Sequence, residues 1–176
     1  VYDTRNYLVV KALKYGLISD SFNGNMITDS VTRKQMADLV VNLYESVNEK
    51  ITISKNHPYS DTKDENMLKA YEIGVMNGYG DGTFRPENKL TNAEMITILQ
   101  RTLIASGIDI PTDFSTIAEY NNFPIDGSHW ATSIVYSMKK LGVLNNIFVS
   151  EIAINDNANI RDTLGICANC YDILKK

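Results

Sequence analysis

The chain has 176 residues, 44% hydrophobic and 22% charged, with a formal net charge of −4. That composition supports a buried core and excludes a disordered tail. The acidic balance argues against nucleic acid, whose recognition needs clustered Lys and Arg. No run approaches the roughly 18 apolar residues of a membrane-spanning helix, and two cysteines imply no disulfide framework.

The opening "VYDTRNYLVV" lacks the basic start and cleavage site of a signal peptide. It enters a helical pattern at once, so the chain reads as a piece of a longer polypeptide. The first amphipathic stretch, "YLVVKALKYG", stops at Gly16. Glycine is the expected stop, because it takes the left-handed conformation without a Cβ penalty. A capped helix, "TRKQMADLVVNLY", then opens at Thr32, and Thr32 with Gln35 spells a T-x-x-Q capping box. Its apolar positions are Met36, Leu39, Val40 and Leu43.

The order then recurs. "MLKAYEIG" stops at Gly74, and "TNAEMITILQRTL" opens at Thr91 with the T-x-x-E box of Thr91 and Glu94. Its core positions are Met95, Ile98, Leu99 and Leu103. Finally "SIVYSMKKLG" stops at Gly142, and "DNANIRDTLGICANCYDIL" opens at Asp156, which keeps a capping residue but no reciprocal partner. Here Ile160, Leu164, Cys167, Ala168 and Tyr171 form the stripe. The chain is thus read as all-α, with three copies of helix, glycine stop, loop and capped helix, over 1–50, 51–110 and 111–176. Insertions fall at 48–58 and 106–123, with an extra short helix expected over "DFSTIAEY". One helix pair cannot bury its own stripe, so the copies are expected to pack on each other as one globular unit.

Between the second pair lies "GYGDGTFRPENK". Gly80 or Gly82 supplies positive φ, Pro86 stiffens the exit, Phe84 plugs the loop into the core, and Arg85 ties loop carbonyls or an acidic neighbour. The loop lacks the spacing of G-x-G-x-x-G and the lysine of a P-loop. It also lacks the carboxylates of an EF-hand.

Cys167 and Cys170 form C-x-x-C inside a predicted helix, where buried thiols are the expected state; an intrahelical disulfide is the alternative. His57 and His129 are scattered, so neither a zinc set nor a nucleophile–His pair is spelled. No carboxylate pair stands out, so no enzyme is expected. No metal or other cofactor is implied.

The run from Tyr59 to Leu103 resembles a surface-layer homology (SLH) module, in its "GYGDGTFRP" turn and its "LTNAE" helix start. "FPIDGSHWATSIVYSMKKLGVL" looks like the opening of another copy, and "VTRKQMADLV" like the helix start of a first. The resemblance implies three modules in a pseudo-threefold helical assembly with long loops. It implies non-covalent anchoring of an exported bacterial protein at the cell surface. The partner would be secondary cell-wall polysaccharide, usually pyruvylated, gripped in grooves between modules, without membrane insertion. A degenerate unit that binds a neighbouring surface protein is the alternative.

The chemistry of such a site is anion recognition. Helix N-termini carry orphan N–H groups and partial positive charge, and Arg33 adds a charge-assisted donor. Thr32 and Gln35 join it in the first copy, with Thr91, Asn92 and Glu94 matching in the second and Asp156, Asn157 and Asn159 in the third. Arginine stands in only one of the three motifs. Tyr79 and Trp130 are candidate stacking platforms for sugar rings; core packing is the favoured alternative for Trp130. Asp61 and Asp126 hold matching positions, with N-cap or turn duty expected.

Overall fold

The structure is a computed structural model describing residues 4–54, 56–110, 129–147 and 153–176. The short helix expected within 113–120 and Asp126 lie outside these residues. The described residues form six α-helices: α1 (Thr4–Lys14), α2 (Arg33–Glu45), α3 (Glu65–Glu72), α4 (Asn92–Ala105), α5 (Thr132–Lys140) and α6 (Ile160–Leu174). A 3₁₀ turn spans Asp20–Phe22. Among the described residues, β pairing is confined to isolated bridges.

The glycine stops at Gly16, Gly74 and Gly142 all have positive φ, at 70°, 75° and 88°. Behind each, a later amide reaches back over the last turn: Leu17 N–H to Ala12 O, Val75 N–H to Ala70 O and Val143 N–H to Met138 O. This double closure satisfies carbonyls that the helix leaves orphaned, and a residue with a Cβ would be strained in that conformation.

Both expected capping boxes are formed. The Thr32 side chain accepts from Gln35 N–H while Gln35 reaches back to Thr32 N–H, and Thr91 and Glu94 do the same. The third cap differs from the expectation. Asn159, not Asp156, caps α6, its side chain accepting from Asp162 N–H at 2.8 Å. Residues 156–158 lie ahead of the helix instead, because their backbone is drawn into pairing with the segments ahead of α2 and α4.

That pairing is cyclic. Val31 N–H donates to Ala158 O at 2.8 Å, Ala158 N–H to Leu90 O at 2.8 Å, and Leu90 N–H to Val31 O at 3.2 Å. The starts of α2, α4 and α6 therefore meet, and α2, α4 and α6 contact one another. The shorter helices pack in a staggered manner: α1 against α6, α3 against α2 and α5 against α4. A single apolar cluster draws on all six helices, including Ala12, Met36, Met67, Leu99, Met138 and Leu164. The stripe residues expected in α2, α4 and α6 are buried. Tyr171 is the exception; it is half-buried and stacks on Tyr15 across the α1–α6 interface, with ring centroids 4.1 Å apart.

Cys167 and Cys170 are free and fully buried, and burial pushes the Cys167 thiol up to about 12. Low reactivity follows from that, since the thiolate is the reactive form.

The Thr91 cap has a measurable consequence. Thr91→Ala removes one half of the box and should cost about 1 kcal/mol. For a chain of this size that is roughly 2–4 °C in Tm by calorimetry. An unchanged Tm would show that the cap contributes no net stability.

Candidate functional site

The three helix starts do not offer their amides to a ligand, contrary to the expectation from helix termini alone. At α2, Arg33 and Lys34 N–H donate to Asn88 O and Pro86 O; at α4, Asn92 and Ala93 N–H donate to Asp156 O and Ile154 O. At α6, Ile160 and Arg161 N–H donate to Asp29 O and Ile27 O. The next donor along each helix goes to its own cap residue. The orphan donors of these termini are thus largely taken by protein, and any anion site must be built from side chains.

The same hydrogen bonds correct the alignment of the third helix start. Ile160, not Asn157, occupies the place of Arg33 and Asn92, and Asp162, not Asn159, that of Gln35 and Glu94. Thr32 and Gln35 are buried and committed to the cap. Gln35 Nε2 also donates to Ser21 O and Asn25 Oδ1, at 2.9 and 3.0 Å. Asn92 is buried too, donating to Ala153 O at 2.9 Å.

Arg33 is different. Its residue is only 7% exposed, yet it makes no ion pair among the described residues. Nε donates to Phe84 O at 2.8 Å and Nη2 to Asn77 O at 2.6 Å. The Tyr79 and Phe84 rings lie 5.0 and 4.7 Å from the guanidinium carbon. Desolvation lowers the Arg33 pKa from its ordinary value, partly offset by Tyr79 and Glu94. A guanidinium starts so high that it keeps its proton. The protein therefore holds a cation with carbonyls and ring faces, with Glu94 acting on it only through space and not as an ion pair, and Nη1 has no hydrogen-bond partner among the described residues.

The loop "GYGDGTFRP" houses this cation. Phe84 is fully buried, as expected for a plug. Gly82 has φ 78°, and Arg85 also takes a left-handed φ of 57°, which the sequence did not signal. Asp61 holds that strained corner by accepting from Phe84 N–H and Arg85 N–H, each at 2.8 Å. Its expected turn duty is observed, while the N-cap of α3 is Asp64. These backbone hydrogen bonds keep the Asp61 carboxyl below its usual range. Arg85 ties back to Asp81 at 2.6 Å and to Thr83, and the hydrogen bonds from Thr83 and Arg85 hold the Asp81 carboxyl down at about 2. Tyr59 hydroxyl accepts from Gly78 N–H at 2.8 Å. A Cβ on Gly78 would lie 2.1 Å from the Tyr59 ring and 2.5 Å from Thr83 O, so only glycine fits there.

Arg33 opens onto a groove of about 180 Å³ that is also lined by Asn77, Glu94, Ile98, Arg101 and Trp130. Of the expected site residues, the groove joins Arg33, Glu94 and Trp130. Tyr79 backs the arginine from the loop; Thr32, Gln35, Thr91 and Asn92 serve the helix starts. Trp130 is 59% exposed, which overturns the core reading. It sits just ahead of α5, where His129 Nδ1 accepts from Ala131 N–H, and it lines the groove instead of the core. Arg101 was not singled out from the sequence. Its signal was its place seven residues after Glu94, on the same face of α4.

Comparison with known proteins bears on the family and the cellular location. Residues 58–96 match the S-layer homology domain family, and so contain an SLH domain. They include the loop that holds Arg33 and the start of α4. The chain is also similar to Cell surface glycoprotein 1 of Acetivibrio thermocellus, with 28% identity over 124 residues. That alignment covers 66% of this chain but 5% of the relative's length. Both similarities point to the cell surface. No helix among the described residues is long and apolar enough to cross a membrane.

Two outcomes test the housing of Arg33. Gly78→Ala should destabilise the protein by roughly 1–3 kcal/mol through forced overpacking, read as a lower urea midpoint. A midpoint equal to the parent's would mean that the loop relaxes freely. The second concerns pH. The Asp61 pKa is lowered on folding, so its contribution is present above the ordinary carboxylate value and is lost as pH falls through the folded one. Phe84 and Arg85 amide resonances should therefore shift together at a midpoint below about 3.9, and Asp61→Asn should abolish that shift.

Proposed function

We propose that this chain anchors a larger exported protein non-covalently to the bacterial cell wall, by gripping an acidic wall polysaccharide at the Arg33 groove. The carrying observation is the buried Arg33 guanidinium, which has no carboxylate partner and lines an open groove. An acid group reaching Nη1 gains a charge-assisted hydrogen bond in a partly desolvated place, where such bonds are roughly twice as strong as neutral ones. Trp130 at the mouth offers a flat apolar face to a sugar ring. A pyruvate ketal on the glycan meets both demands, because its carboxylate is small and its ring is stackable.

In this reading the chain is three SLH modules, over 1–50, 51–110 and 111–176, in a pseudo-threefold arrangement. The cyclic hydrogen bonds of residues 31, 90 and 158 favour it. The module acts in this reading as a binding unit, through a groove that presents two cations, a carboxylate and an aromatic ring. A protein-interaction role is the second reading. It is favoured by the exposed apolar row Tyr7, Val10 and Leu13 on α1.

Sedimentation with purified wall sacculi separates the two. Binding should disappear when the secondary polymer is stripped from the sacculi, and Arg33→Ala should weaken it at least tenfold, about 1.4 kcal/mol, with helix content unchanged. Undiminished binding to stripped sacculi, or an Arg33→Ala affinity equal to the parent's, would overturn the glycan reading.

A further inference from the structure

Arg101 lines the same groove as Arg33 from further along α4. Glu94, Ile98 and Arg101 share one face of that helix at i, i+4 and i+7. The groove therefore follows α4 for two turns, about 10 Å at a rise of roughly 1.5 Å per residue. Lys11, Lys34, Lys69 and Arg85 are each paired with a carboxylate. Arg101 is exposed and makes no ion pair or hydrogen bond among the described residues. Its charge faces the groove unneutralised.

The groove's size decides what can lie in it. At about 180 Å³ it is smaller than the roughly 300–1,000 Å³ of sites that enclose a whole small molecule. It takes one sugar-sized group, and a longer ligand must leave along the rim, where Arg101 and Trp130 stand. Glu94 lines the groove together with both arginines. Its Oε2 is engaged by Thr91, while Oε1 accepts no hydrogen bond among the described residues. A carboxylate there repels a continuous strip of negative charge but accepts from hydroxyls. The groove thus presents two cations and an acceptor.

We infer that the groove is a two-point site for an acidic saccharide with acid groups on separate sugar units. Arg33 takes the acid group seated in the groove, and Arg101 takes one further along the same glycan chain. This rests on the glycan reading above but goes beyond it, since it assigns a second contact and requires a ligand acidic at more than one unit.

Trp130 is the sole tryptophan, so its fluorescence reports occupancy directly. The parent protein, Arg101→Gln and Arg101→Lys are titrated with galacturonate, tetragalacturonate and a glycerol-phosphate tetramer. The parent should bind tetragalacturonate at least tenfold more tightly than galacturonate, with an affinity that falls as salt rises. Arg101→Gln should lose that gain and flatten the salt dependence, and Arg101→Lys should restore most of both. No Trp130 response to tetragalacturonate, equal affinity for the two uronates, or an undiminished gain in Arg101→Gln would overturn the inference. Preference for the glycerol-phosphate tetramer would overturn the assignment to sugar acids. The sacculus assay remains separate. A parent protein that sediments with sacculi but lacks the tetramer gain refutes only the second contact, whereas failure to sediment refutes the anchoring reading.

Discussion

Three backbone hydrogen bonds, from Val31 to Ala158, from Ala158 to Leu90 and from Leu90 to Val31, carry the rest of the structure. They close a ring among segments that are far apart in sequence, and each segment leads straight into a capped helix. The ring brings the first turns of α2, α4 and α6 together, and the carbonyls just ahead of one helix accept the first amides of another. Buried amides must be paired, so this exchange satisfies the helix starts and joins the segments in one step. Its consequence for function is negative and specific: the helix dipoles meet protein carbonyls, and a ligand must be met by side chains.

Arg33 is the side chain that this arrangement leaves over. Its position at the first turn of α2 places it against the loop between α3 and α4, where two carbonyls and two rings receive it. The glycine-rich stretch that looks most like a ligand loop is therefore a socket for another segment's arginine. The two features belong together. Asn92, at the matching place on α4, makes one hydrogen bond of ordinary length to Ala153 O, at 2.9 Å, and Ile160 has no charge to house.

The socket also accounts for an otherwise costly element. Arg85 is held in a left-handed conformation, which costs a non-glycine residue on the order of 1 kcal/mol or more. Asp61 holds it there with two backbone hydrogen bonds, and the same corner turns the Phe84 carbonyl toward Arg33. Strain, anchor and cation thus form one chain of contacts that ends at the groove. Burial of a guanidinium without an ion-pair partner is unfavourable in isolation. Carbonyls and aromatic faces reduce that cost without cancelling the positive potential, which is the condition an anion-binding arginine needs.

Local chemistry made much of this legible from residues alone. Gly16, Gly74 and Gly142 marked helix ends because left-handed closure excludes most other residues, and Thr32 with Gln35 and Thr91 with Glu94 marked helix starts because reciprocal capping needs those side chains at that spacing. The buried stripes followed from helical periodicity. What lay beyond reach depended on partners distant in sequence. Asp156 looked like a cap, but its segment is pulled into the ring, so Asn159 caps α6. Trp130 looked like core, yet its place at the start of α5 leaves the ring at the surface. Arg33 was visible as a charge, whereas its burial, its socket and its alignment with Arg101 exist only once α2, the loop after α3 and α4 are packed together. Capping and periodicity are written within a few residues of chain, while a groove is a property of surfaces that the chain brings together only by folding.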